Sequence, residues 1–201
     1  MAKQQRAIRT REQVLDAAAA EFAASGYAHT TMNTIADRVG MTKGALYGHF
    51  PSKRGLAEAL VGHGREVWRL VLGTTEAVTP AKPLCALGTV TVELSCRLHA
   101  DPRAQAAFRL MADRLRAGDE GPNLVRDVRL RLTALVRAAR AEGDIAARYP
   151  VEAVVELLLA VVFAAQSTLW APPRVPHTAL ARDVWAILRD ALRPERLAPA
   201  E

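Results

Sequence analysis

Apolar residues recur every three or four positions along most of the chain, and runs that alternate apolar with polar at period two are absent. This spacing predicts helices rather than strands. Val14, Ala18 and Phe22 mark a first helix from about Ile8 to Ala24, which Gly26 stops. A second helix follows Thr30 and Thr31 as N-caps, carries Ile35, Ala36 and Val39 on one face, and ends at Gly40. Met41 plugs the corner. Thr42 then caps a third helix whose inward residues are Ala45, Leu46 and Phe50.

A fourth helix begins after Pro51 and Ser52 and should run to about Ala77, with Leu56, Leu60, Val67, Leu70 and Val71 as its apolar stripe. Gly62 and Gly64 each weaken it by about 1 kcal/mol relative to Ala, which predicts a flexible point in its middle. Pro80 and Pro83 separate it from a fifth helix that reaches His99. Pro102 opens a sixth, which ends before the AGDEGPN loop at 117–123. A seventh runs from about Leu124 to Glu142 with Val128, Leu132 and Leu135 inward, an eighth from Val151 to Leu169, and a ninth from Thr178 to Leu192. The fold expected is all-α with about nine helices: an N-terminal three-helix domain over 1–50, and a helical body over 51–201 joined to it through the fourth helix. No internal repeat is evident, and the PERLAPAE ending reads as a loose end.

The second and third helices carry the chemistry. Counted from Met32 as position one, Ala36 falls fifth, Gly40 ninth and Leu46 fifteenth, so a small residue, a turn residue and a buried aliphatic stand where two crossed helices need them. This is helix-turn-helix spacing. With Leu46 and Phe50 inward, Thr42, Lys43, Gly44 and Tyr47 point outward near the start of the third helix, where Lys43 can reach guanine edges or phosphate and Tyr47 the backbone.

Charge strengthens that reading. The chain has 201 residues and a net charge of +6, and residues 1–55 hold eight Lys plus Arg against four Asp plus Glu. The other 146 residues hold nineteen against seventeen, so the basic excess sits in the first quarter, as a phosphate-facing module requires. Arg6, Arg9, Arg11, Lys43, Lys53 and Arg54 surround the turn. A non-specific DNA-coating protein needs basic charge over the whole body, and the body lacks it.

Other classes find little support. Cys96 and His99 stand three apart without a third orienting group, so nothing resembles a nucleophilic triad and no enzyme is expected. Cys85 and Cys96, eleven residues apart, are separated by roughly 16 Å along one helix and cannot bridge within it. They read as buried thiols, with a redox sensor as the alternative. His29, His49, His63, His99 and His177 form no cluster, and neither metal nor cofactor is expected. The N-terminus MAKQQRAIRTRE lacks an apolar secretory core, and the stretch around AVVELLLAVVFAAQSTLW contains Glu156 and Gln166. A cytoplasmic protein without a membrane partner is the expectation.

The run TIADRVGMTKGALYGHFPSK, preceded by EFAASGYAHTT, resembles the DNA-binding domain of the TetR family of transcriptional regulators. The TKGALYxHFPSK pattern and the tail are most similar to the branch of γ-butyrolactone receptors. The strong match covers about residues 9–60. The resemblance implies a homodimer that binds a palindromic double-stranded operator, represses transcription, and is released when a small apolar effector enters the body and moves the fourth helix. By motif position it implies DNA contacts from Thr31, Thr42, Lys43, Gly44, Tyr47, His49 and Lys53. Arg6 and Arg9 would form an arm along the DNA or a solvated tail. Gly48 departs from the bulky aromatic usual in the branch, which costs helix stability and one side-chain contact.

For the effector, Trp68, Leu72, Phe108, Met111, Val128 and Phe163 are the candidate contacts, with ordinary core as the competing reading of each. The branch places a tryptophan over its ligand near the start of the seventh helix. Leu124 and Val125 stand there in this chain, and no tryptophan occurs between 69 and 169. A pseudo-receptor, or a regulator with a different effector, is therefore the alternative. For dimerisation, the eighth and ninth helices offer Val154, Val155, Leu158, Val161, Val162, Val184, Trp185 and Leu188, more apolar surface than one core stripe needs unless the eighth is simply buried.

Overall fold

The computed structural model describes residues 2–78, 82–164 and 176–194. Among the described residues there are nine helices and no strand: α1 Ala2–His29, α2 Met32–Val39, α3 Lys43–His49, α4 Lys53–Val78, α5 Pro83–Ala100, α6 Pro102–Arg116, α7 Leu124–Ala141, α8 Val151–Ala164 and α9 His177–Leu192. The all-α expectation holds. Pro80, the end of the eighth helix to Leu169, most of the PPRVP stretch and nearly all of the PERLAPAE tail lie outside the described residues. No described helix is long and apolar enough to cross a membrane.

The chain forms two compact units. One comprises residues 1–68 and 100–125, and the other 69–99 and 126–201. Helix α4 contributes to both. In the first unit, α1 packs against α6 and α2, and α2 against α3. Val14, Ala18 and Phe22 of α1 are fully buried, as are Ile35, Leu46, Leu56, Ala106 and Met111. Arg103 clamps the N-terminal half of α1 to α6, donating to Asp16 at 2.7 Å and to Glu12 at 2.5 Å. Beside it, at the same end of α6, Asp101 caps the helix through the Arg103 and Ala104 amides and accepts from His63 of α4 at 2.6 Å.

Three expectations about the helices need correction. The first helix begins at Ala2 rather than near Ile8, because AKQQRAIRTREQ contains no glycine or proline to break it. Arg6 and Arg9 therefore stand exposed on a helix rather than in a disordered tail. Gly64 is not a flexible point, because it is buried where α4 meets α6 and α7. A Cβ there would lie 2.6 Å from Ala107 Cβ and 3.1 Å from Leu124 Cδ1. Of the two, Gly62 is open, with nothing within 4 Å.

In the second unit, Leu87, Val90 and Leu94 of α5, Val128, Leu132 and Val136 of α7, and Val154, Leu158 and Val162 of α8 are all buried. Gly88 admits the indole of Trp185, whose Nε1 would stand 2.4 Å from any Cβ added there. His99 and His177 stack with ring centroids 4.0 Å apart, and Arg129 pairs with Glu156 between α7 and α8. The cysteines are not buried thiols as a pair: Cys85 is exposed and Cys96 half-buried, because α5 turns both away from the Leu87–Leu94 face. Burial, with Glu93 nearby, pushes the Cys96 thiol up against the opposing effect of Arg182. That disfavours the thiolate a redox sensor needs.

Candidate nucleic-acid interface

The turn between α2 and α3 is built by local bonds that its sequence supplies. Thr31 Oγ1 accepts from the Thr34 amide at 3.1 Å, and Thr34 Oγ1 accepts from the Thr31 amide at 3.2 Å, a reciprocal cap. At the far end Gly40 adopts φ 75°, ψ 35°, and its amide reaches the Ala36 carbonyl at 2.9 Å. The left-handed conformation favours glycine there. Thr42 then accepts from the Ala45 amide at 3.3 Å and opens α3. Leu46 and Phe50 are buried as expected, but Ala45 is exposed. One buried residue per turn suffices to seat so short a helix.

This leaves the cap Thr42 and Lys43, Gly44, Ala45, Tyr47 and Gly48 of α3 exposed together, with Tyr47 45% exposed. The side chains of Lys43, Arg6 and Arg9 have no bond or ion pair within the described residues. A Cβ on Gly44 or Gly48 would meet nothing within 4 Å. Two glycines in a seven-residue helix cost about 1 kcal/mol each relative to Ala, and the chain's own packing requires neither.

The other basic groups are engaged internally. Arg11 lies over the Phe50 ring, 3.9 Å from its centroid, and donates to the His49 carbonyl at 3.0 Å. Lys53 Nζ donates to the Tyr27 and Thr30 carbonyls at 2.8 and 2.9 Å and sits over the Tyr27 ring. Arg54 pairs with Glu58 at 2.7 Å, which raises its pKa further. Arg38 pairs with Glu21 at 2.6 Å. Lys53 and Arg11 thus fasten the linker before α2 and the end of α3, while Lys43 is left facing out. Thr31 is occupied as a cap, and His49 is half-buried at the end of α3.

A capped turn, a buried seam and an outward, acid-free face on the second helix are the parts of a DNA reader. The sequence profile of "Bacterial regulatory proteins, tetR family" matches residues 14–60, the segment that contains all of them. A solved structure concerned with the molecular basis for control of antibiotic production by bacterial hormones is 30% identical, covers 92% of this chain and 96% of its own, and superposes with a TM-score of 0.57. The chain belongs to the tetR family. A γ-butyrolactone receptor described as ArpA-like is 26% identical over 92% of this chain and 99% of its own, with a TM-score of 0.67. The HTH-type transcriptional repressor BepR of Brucella suis is 28% identical over 163 residues, 78% of each chain. The regulator is a helix-turn-helix transcription factor and is similar to γ-butyrolactone receptors.

The expected effector contacts divide between the units. Trp68, Phe108 and Met111 are buried in the first. In the second, Val128 is buried, and Leu72 and Phe163 are half-buried. None of the six lines the 430 Å³ cavity of the first unit or the 190 Å³ depression of the second. Of the expected dimer residues, Val154, Val155, Leu158 and Val162 are inside their own chain, and Val161, Val184, Trp185 and Leu188 are half-buried. Sequence reasoning missed Leu157 and Ile187, which are 44% and 69% exposed. Their place in the helical period outside the buried stripe was the available signal. Among the described residues no group of His, Cys, Asp and Glu gathers where it could hold a metal ion.

Proposed function

We propose that the regulator is a homodimeric repressor acting in the cytoplasm, in which two α3 helices read a palindromic operator and a small apolar effector bound by the body ends that reading. The observation that carries the reading is the outward face of α3, where an unpaired Lys43 stands beside a glycine that no internal contact requires. Residues 1–50 act as the reader and 51–201 as the effector-binding and dimerising body. Lys43 donates to base edges or phosphate, Tyr47 and His49 to the backbone, and Gly44 lets the strand come close. Thr31, Thr42 and Lys53 support the interface by holding its frame. Trp68, Phe108 and Met111, with Leu72, Val128 and Phe163, are the effector candidates.

Two readers on one face of DNA must stand about 34 Å apart, so a modest swing of each spoils simultaneous fit. A ~100-fold difference in effector affinity between two geometries shifts their balance by about 2.7 kcal/mol. The second reading, a pseudo-receptor or a regulator with another effector, is favoured by Leu124, which is only 3% exposed at the start of α7 where the branch carries tryptophan. Dimerisation through α8 and α9 is supported by exposed Leu157 and Ile187. It is also supported by the apolar depression that Ala153, Val154, Leu157, Leu188 and Leu192 line with Tyr149 and Ala191.

The test selects duplexes from a random pool with the full chain, then titrates the enriched palindrome and a scrambled duplex across salt. Affinity for the palindrome that falls steeply with salt, with the scrambled duplex far weaker, supports the reading. Equal binding to both sinks it. Release of the palindrome by culture extracts separates the effector-driven reading from the pseudo-receptor.

A further inference from the structure

A cavity of about 430 Å³ opens in the first unit beside the kink of α1, and none of the residues assigned to DNA or effector lines it. Its floor and walls are largely apolar or backbone: Tyr27, Ala28, Ala57, Leu110 and Ala117, with the chain from Ser25 to His29 along one side. Three guanidinium groups, Arg54, Arg109 and Arg114, stand against one carboxylate, Asp113. That carboxylate is already taken. Asp113 Oδ1 pairs with Arg116 at 2.5 Å and with Arg109 at 3.4 Å, and its Oδ2 accepts from the Tyr27 amide at 3.3 Å. Arg54 has Glu58. Arg114 is half-buried, and its guanidinium has no hydrogen bond or ion pair among the described residues.

We propose that this cleft is a second ligand site, for a small organic carboxylate whose apolar body lies against Tyr27, Ala57 and Leu110. An unpaired, half-buried guanidinium presents a planar fork of donors that a carboxylate meets with two parallel bonds. The volume falls within the range of small-molecule sites. A neutral ligand of the same shape leaves the excess positive charge unanswered, so the site discriminates by charge. It reaches the frame of the reader, since Asp113 in its wall holds the Tyr27 amide, and a Cβ on Gly26, at φ 71°, would lie 2.9 Å from the same carboxylate.

The test uses the full chain with 4-fluorobenzoate and the neutral 4-fluorobenzamide as probes, followed by fluorine resonance, without DNA. The benzoate signal shifts and saturates, and the amide at the same concentrations does not. Arg114→Gln weakens benzoate binding tenfold or more. Ala117→Trp, at an exposed position on the cleft wall, abolishes binding while keeping every charge. Circular dichroism shows that both variants remain helical, and a variant that unfolds is replaced by Arg114→Lys, expected to weaken binding several-fold. Absence of saturation, equal binding of the amide, or binding unchanged by both variants overturns the proposal. So does a fall of about one in the salt slope of DNA binding on Arg114→Gln, which would make this arginine a phosphate contact.

Discussion

Gly44 and Gly48 occupy equivalent places in local terms, both exposed in α3 and both with open space where a Cβ would stand. Alanine at either should raise stability by about 1 kcal/mol, seen as a higher thermal midpoint. Their consequences for DNA differ. Gly44→Ala places a methyl group where the proposed strand approaches and should lose operator affinity despite the firmer helix, whereas Gly48→Ala should keep it. Equal affinities for both variants would remove Gly44 from the interface. Lys43→Ala should cost about 1–3 kcal/mol of discrimination and leave the melting curve unchanged, because the exposed Lys43 side chain makes no hydrogen bond or ion pair among the described residues. Lys53→Met should do the reverse, lowering the melting midpoint through two orphaned carbonyls at Tyr27 and Thr30. The motif places both lysines beside DNA, and only the folded chain separates a free one from an engaged one.

Helix α4 carries two glycines a single residue apart whose surroundings are opposite. Gly62→Ala should stabilise by about 1 kcal/mol, and Gly64→Ala should destabilise by about 1–3 kcal/mol because its methyl meets Ala107 and Leu124. Chemical denaturation of the two variants decides this, and equal shifts would refute the close approach. His63 between them fastens α4 to the cap of α6 at Asp101. Burial pushes the Asp101 carboxyl up, but the hydrogen bond from His63, the Ala104 amide, the charge of His63 and the Arg103 amide outweigh it and hold the group below the usual carboxylate range. Its contribution is therefore complete above the unfolded value of about 3.9 and disappears as pH falls through the lower folded value. Asp101→Asn should flatten the acid limb of the stability profile while leaving an amide oxygen to cap α6. An unchanged limb would show that other carboxylates set it.

At the scale of the whole molecule, periodicity, caps and prolines were enough to read nine helices, because those signals are local. The α2–α3 turn was legible down to its capping threonines for the same reason. The Arg103 clamp on Glu12 and Asp16, the grip of Lys53 on two carbonyls and the Gly88–Trp185 fit were not, because their partners lie 23 to 97 positions away and no local pattern links them. The apolar surplus of α8 and α9 shows the same limit. Composition counted it, and the fold decides which part stays outside. Val154, Val155, Leu158 and Val162 satisfy the interior of their own chain, so in the proposed dimer a second copy would be met by Leu157 and Ile187 together with the half-buried Val161 and Leu188. Leu157→Glu and Ile187→Glu remove no internal contact of a buried side chain, and each puts a charge into a proposed seam where its two-fold mate is close by symmetry. Sedimentation should then show helical monomers at concentrations where the parent chain is dimeric, and operator affinity should fall because one reader alone spans half a palindrome. Dimers that persist in the double variant would move the seam away from these two helices while leaving the reading face of α3 untouched.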